Sequence, residues 1–468
     1  MRPKKLDVSY FENQGYISPV GTRYTTKMSG IFSEESYLQA ILDVEAENVK
    51  VLSEMYPGKI PTSAAKKIKS IANTKRVKPS EVRAEESSKT HHEIGAVINV
   101  MSRAAGKEGK YVHFAMTSAD AVETAKAIQY AKATDMLIKS ASETRDACLQ
   151  AALKWKSTIA ISRTHGQHAI PASFGLPFAF FGYCLQKNID RLKYDREKCI
   201  EGKLSGVIGV YDVHRNESID GIKLESTVLK NLSVRPSEIS MQIPPRENTS
   251  YLISDIASLC GRLETIAAYM KNLKRSEILE LIEEPDSASI GSSAMPHKNQ
   301  HGNPFIEERC ISIARIVRGY AVSSMESVFN EDFRDLTASL SDRIAVPESF
   351  ILADYSCGLV KNLIERATPV PESIERNLNI SKGTTASQLI MSRLVSKGMH
   401  RSKAREVSFR NAKEALSNNM HYTKSLLNDK EVMALLSENE IKELTNPSSN
   451  IGMSKEIIEK IAKKYANS

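Results

Sequence analysis

Apolar residues recur along this chain at helical spacing over unusually long stretches. Between Thr117 and His165 there is neither Gly nor Pro, and Val122, Ala125, Ile128, Met136, Leu137, Ala147, Leu149 and Leu153 follow a helical period. That predicts a helix well beyond the usual mean of ~11–12 residues. Arg246 to Glu284, with only Gly261 inside it, repeats the pattern through Tyr251, Leu252, Ile256, Leu259, Leu263, Ile266, Ala267, Met270 and Leu273. Phe305 to Val346 reads as another long helix containing only Gly319, and a shorter one covers about Phe178 to Glu201. One chain of this size cannot cover such helices on all sides. The pattern therefore predicts an all-α protein whose long central helix bundle is shared between subunits of an obligate oligomer. Strand-like runs are few; SGVIGVY (205–211) reads as a turn or a brief strand.

Residues 1–115 form a first helical domain, with an amphipathic helix predicted over Glu34–Glu54 behind Ser33 as N-cap and a basic connector at 72–80. The long-helix domain spans 116–365. Two prolines in ATPVPESIERN (367–377) open a smaller helical domain, 366–468.

Composition narrows the class. The 468 residues are 41% hydrophobic and 26% charged, ordinary for a globular protein. No apolar run reaches the ~18 residues a membrane span needs, and no apolar core follows the basic N-terminus as a secretory signal requires. Six scattered cysteines without a CxxC argue against a disulfide framework or zinc site and suit the cytoplasm. Net charge is +8, but Lys and Arg alternate with acids, as in LKYDREKCIEGK (192–203). Solvated helix faces explain that better than nucleic-acid binding.

Chemistry gathers in three patches: KTHHEI (89–94) with YVHFAMTSAD (111–120), ISRTHGQHAIPASFG (161–175), and SIGSSAMPHKNQHGNPFIEERC (289–310). Five of the ten histidines fall in the first two. Each patch is expected near a helix terminus, His165 at the end of a long helix, where backbone N–H groups favour anions. There is no HExxH and no acid cluster with ligand spacing, so no metal is expected. Ser292 does not sit in a G-x-S-x-G elbow.

GSSAMPHK…NP resembles the signature loop of the fumarase/aspartase superfamily, whose members eliminate fumarate from a succinyl group. SRTHGQHAIPASFG and HFAMTSADAVETA resemble two further conserved regions, in the superfamily's adenylosuccinate lyase branch. GTRYTTKMSGIFSEE, NPFIEERCISIAR and FRDLTASLSDR are also similar to that branch, and the resemblance runs in order from about residue 20 to 400. It implies a fumarase/aspartase-like fold and a homotetramer with composite active sites that draw the three patches from different subunits. No cofactor is implied. The implied substrates are adenylosuccinate and the succinyl-carboxamide ribotide SAICAR.

The resemblance also implies roles. Ser292 would be the general base and His165 the general acid toward the leaving purine nitrogen, supported by His92. Lys298 would stabilise the carboxylate-derived dianion, and Glu308 would orient the acid. Arg23, Tyr24, Arg334, Ser339 and Arg343 match phosphate-binding positions, Thr117 and Ser118 a carboxylate site helped by Thr164, and Gln242 and Arg309 substrate contacts. Where relatives carry Arg-His-Asp this chain has His91-His92-Glu93, so one anion contact is weakened although His91 and Glu93 keep substrate-facing positions. Aligning Asn303-Pro304 with the family pair implies a three-residue insertion, leaving Asn299 or Asn303 to face substrate. Ala115 stands where Gly is common. Two alternatives remain: a sister lyase such as argininosuccinate lyase or carboxymuconate cycloisomerase, whose substrates lack phosphate, and a non-catalytic helical oligomer. The Arg-Tyr element disfavours the first. Retention of Ser292, His165, His92 and Lys298 together disfavours the second.

Overall fold

The computed structural model describes residues 20, 23–283, 295, 297 and 303–465. Ser292, Lys298 and Asn299 lie outside the described residues.

The helical periods translate into helices with one substantial exception. Glu34–Met55 starts at Ser33, whose hydroxyl accepts the Ser36 N–H at 3.1 Å, as the sequence predicts. Ser118–Lys154 is a 37-residue helix, and Leu176–Lys198 and Glu247–Leu273 follow. The last of these stops well short of Glu284. The chain turns at Leu279 (φ 46°) and enters a short strand, Leu281–Glu283, antiparallel to Ala367–Pro369.

The exception is Phe305–Val346, which is two helices, Phe305–Glu326 and Thr337–Arg366. Between them Asp332 and Phe333 adopt positive φ. The Asp335 carboxylate accepts the N–H groups of Glu331 (2.9 Å) and Thr337 (2.8 Å). Short acidic side chains that capture local N–H groups compete with helix and start a new one. SGVIGVY forms turns, with Gly206 and Gly209 at φ 83° and 76°.

The chain divides into two compact units. The first comprises the residues up to Ala141, Asn188–Gly261 and Ser312–Cys357; the second comprises Ser142–Lys187, Arg262–Ile311 and Gly358–Ser468. In the second unit Trp155, Phe174, Phe178, Phe181 and Tyr269 make an aromatic core, with the Trp155 and Phe178 centroids 4.8 Å apart. A separate C-terminal core collects Ile390, Leu394, Val407, Tyr422, Leu426 and Ile441. Among the described residues no helix is long and apolar enough to cross a membrane.

Candidate active site

In the second unit, the helix Ser118–Lys154 ends and a β-hairpin carries the second patch, correcting the expectation that His165 closes a long helix. Strand β1 (Ile159–Thr164) pairs antiparallel with β2 (Gln167–Ser173), and the last rung is Thr164 opposite Gln167. His165 and Gly166 are the two-residue turn, with φ 54° and 75°. Positive φ at both central residues matches the twist of the strands. Gly adopts it freely, whereas a non-glycine residue such as His165 costs roughly 1–2 kcal/mol. The alternating Ile159 and Ile161 of IAISRT and the His-Gly pair were the available signal. Thr164 and His165 are both exposed, and the His165 ring makes no hydrogen bond to a described residue.

Asn303, whose backbone carbonyl accepts the Phe305 N–H at 2.8 Å, leads into the helix Phe305–Glu326. In its first turn Glu308 is exposed and accepts from Lys271 at 2.7 Å. Its neighbour Glu307 is buried beside Lys274 at 2.5 Å. Burial pushes the Glu307 carboxyl upward despite the lysine. Arg309 is half-buried.

The first unit holds the remaining candidates. His92 is the N-cap of Glu93–Ala105, and its Nδ1 accepts the Gly95 N–H at 3.1 Å. In the neutral ring that leaves the proton on Nε2, an outward-facing donor. His91, in the left-handed region at φ 49°, is exposed beside it. Glu93 accepts from Arg343 Nη2 at 2.6 Å, and both line a cavity of about 340 Å³ with Tyr37, Lys126, Gln129 and Asp342. Deeper, Arg246 grips Glu123 through two nitrogens at 2.8 and 3.1 Å. Burial raises the Glu123 carboxyl, but Lys126 and Arg246 outweigh it and hold the group far below its usual range.

Arg334 precedes the helix Thr337–Arg366, and Ser339 lies in its first turn, where the Thr337 N–H is held by the Asp335 carboxylate and the Ser339 N–H by the Leu336 carbonyl. Tyr24 stacks near Tyr355 with centroids 5.7 Å apart, and Arg23 is exposed. Gln242 is half-buried in the irregular stretch before Glu247.

Thr117 immediately precedes Ser118–Lys154, and its N–H donates to Asp120 at 2.9 Å. The turn before it contains His113 (φ 62°) and Ala115 (φ 60°). His113 donates its backbone N–H (2.9 Å) and ring Nδ1–H (2.7 Å) to the buried Glu45. Burial alone would lower the His113 pKa, but the Glu45 hydrogen bond and charge, with Asp120, raise it above the usual ~6.5. The pair's contribution to stability is therefore complete below about pH 6.5 and is lost as pH rises through the elevated folded value. Thermal unfolding between pH 6 and 9 is expected to show the native chain losing more stability than a His113→Gln variant. Parallel curves would exclude the pair as the cause.

Sequence reading missed the partners that set this geometry: Glu45 under His113, Lys203 under Asp120, and Glu280 beside the hairpin. None carries a local signal. Among the described residues there is no group of three His, Cys, Asp or Glu placed to hold a metal.

Residues 22–319 match the family described as Lyase, and residues 383–461 the one described as Adenylosuccinate lyase C-terminus. An adenylosuccinate lyase of Pyrococcus abyssi is 32% identical over 448 residues, 95% of this chain and 97% of its own length. One from Pyrococcus horikoshii is 33% identical with the same coverage. Among solved structures, a fumarate lyase from Mesorhizobium sp. BNC1 superposes with TM-score 0.84 at 21% identity, covering 94% of this chain and 98% of its own. The 3-carboxy-cis,cis-muconate lactonizing enzyme of Pseudomonas putida gives 0.83 at 22% identity, covering 95% and 98%. These two share the all-α, fumarase/aspartase-like fold.

Proposed function

The chain belongs to the adenylosuccinate lyase family, and from that membership we propose that it cleaves adenylosuccinate to AMP and fumarate, and SAICAR to AICAR and fumarate. It is a carbon–nitrogen lyase of purine biosynthesis. The elimination balances without a cofactor. A base removes a proton from the carbon beside a succinyl carboxylate, the C=C bond forms, and the C–N electron pair leaves with nitrogen, which takes a proton from the acid.

The His165 hairpin carries this reading. Two paired strands hold an imidazole at an exposed tip with no described partner of its own, which suits a proton donor waiting for substrate. Ser292 acts as base, with Lys298 beside the dianion that deprotonation creates. His92, its Nε2–H free to donate, supports the acid. Glu308 orients it, exchanging Lys271 for the imidazole when the site assembles. Arg334, Ser339 and Arg343 clamp the phosphate with Arg23 and Tyr24; Glu93, already on Arg343, fixes that guanidinium. Thr117, Ser118 and Thr164 hold a carboxylate, while His91, Gln242, Asn303 and Arg309 line the remaining substrate surface.

In this reading the three patches meet across subunits of a cytoplasmic homotetramer, and the chain is organised as helical domains 1–115, 116–365 and 366–468. No nucleic acid or membrane takes part. Guanidinium groups suit a phosphate monoester, which argininosuccinate lacks, so the phosphate clamp favours the adenylosuccinate branch.

Purified protein is expected to release fumarate from adenylosuccinate and not from argininosuccinate, and Ser292→Ala is expected to lower kcat by about 10²-fold or more. Cleavage of argininosuccinate alone would overturn the substrate, and wild-type turnover by Ser292→Ala would overturn the base.

A further inference from the structure

The hairpin that presents His165 is packed at its base, where Ile161, Ala172 and Ser173 are buried, but its outer half from Arg163 to His168 is not. A cavity of about 560 Å³ lies beneath it, lined by Arg163, His168, Tyr269, Asn272, Glu280 and Asn377 among others. Two polar contacts fix the strands over that space. On β1, Arg163 donates through both terminal nitrogens to Glu280, at 2.6 and 3.0 Å. On β2, His168 Nδ1 lies 2.8 Å from the Ser381 hydroxyl. Arg163 and His168 face each other across the ladder, one rung below Thr164 and Gln167. A register shift between Ile161 and Arg163 separates this end of the hairpin from the regular pairing nearer its base. Such irregularities re-aim the strand beyond them.

Glu280 is a fixed post. It is 1% exposed, and Asn377, equally buried, donates to its carboxylate at 2.8 Å and to the Ile278 carbonyl at 2.7 Å. The Glu280 carbonyl accepts the Val370 N–H at 3.0 Å, and Arg376 donates to the carbonyls of Glu277 and Ile278. Both anchors therefore end on, or are braced by, the segment from Val370 to Ser381. A guanidinium held at two points resists rotation as well as translation, which a single contact does not.

We infer that Arg163 and His168 are positioning residues for His165. The Arg163–Glu280 pair and the His168–Ser381 contact fix the aim of the hairpin tip across a cavity that would otherwise let it tilt. This rests on His165 being the general acid. Misplacing a catalytic group by about 1 Å costs on the order of 10²-fold in rate, and strained turns persist only where their surroundings over-determine them.

Arg163→Ala would leave a buried, unpaired carboxylate and so confound folding with function. Arg163→Lys keeps the charge and removes the fork. It is expected to lower kcat about 10- to 100-fold with KM within about twofold. Ser381→Ala, which orphans no charge, is expected to lower kcat by a smaller factor at unchanged KM. Each change should be silent when added to His165→Ala, because a residue acting only through His165 has nothing left to position. Equal slowing of the wild-type and His165→Ala backgrounds would overturn the inference, as would wild-type kcat in both single variants. Wild-type kcat in His165→Ala would overturn the acid assignment itself, and this inference with it.

Discussion

Replacing His165 by alanine is expected to lower kcat for fumarate release from adenylosuccinate by about 10²- to 10⁴-fold without unfolding the protein, the range for loss of a positioned general acid. The His165 ring is exposed and bonds to no described residue, so truncation orphans no donor or acceptor. Alanine faces the same left-handed backbone at φ 54° that histidine already tolerates. Stability should therefore move little while rate moves far. The pH profile adds a second readout. A general acid must be protonated to work, so rate falls on the alkaline side as it loses its proton. In His165→Ala that limb should disappear from the residual activity. A folded variant with kcat within threefold of the parent, or with the alkaline limb intact, would remove His165 from the acid role.

The helices were legible because their information is local. Period, length and a capping serine lie within one window, and Ser33 with Glu34–Met55 follows from them. The hairpin was obscured by the run before it. The helical period continues towards Trp155 without Gly or Pro, and what stops the helix is tertiary: Trp155 is buried against Phe174 and Phe178. The split of Phe305–Val346 was written in NEDFRD, whose short acids cap and turn, but five charged or amide side chains among six residues also suit an exposed helix face. The candidate site was legible as residue types in order and not as geometry. That His92 presents Nε2, or that Glu93 meets Arg343 across 250 residues, depends on contacts no local period encodes. Arg163 illustrates the limit. In sequence it is a basic residue on a polar strand; its partner Glu280 is 117 positions away.

Lys203→Met is expected to destabilise the protein by about 3–5 kcal/mol, the cost of breaking a buried ion pair from one side. Lys203 and Asp120 are both fully buried, with the ammonium 2.6 Å from the carboxylate and 2.7 Å from the Gly206 carbonyl. Methionine fills much of the volume but leaves the Asp120 charge uncompensated where water cannot reach it. The other Asp120 oxygen accepts the Thr117 N–H at 2.9 Å, and Thr124 ties the Lys203 backbone to the same helix at 2.8 and 3.1 Å. The damage therefore falls on the first turn of Ser118–Lys154, where Thr117 and Ser118 are proposed to meet a substrate carboxylate. Fully folded Lys203→Met, measured below its denaturation midpoint, should show a raised KM. Adding Asp120→Asn removes the orphaned charge and should restore part of the lost stability, because an amide still accepts the Thr117 N–H. Urea unfolding of the native chain and the two variants checks the sign and the size. A loss below about 1 kcal/mol for Lys203→Met, or no recovery in the double variant, would mean that the pair is not what holds this helix start in place.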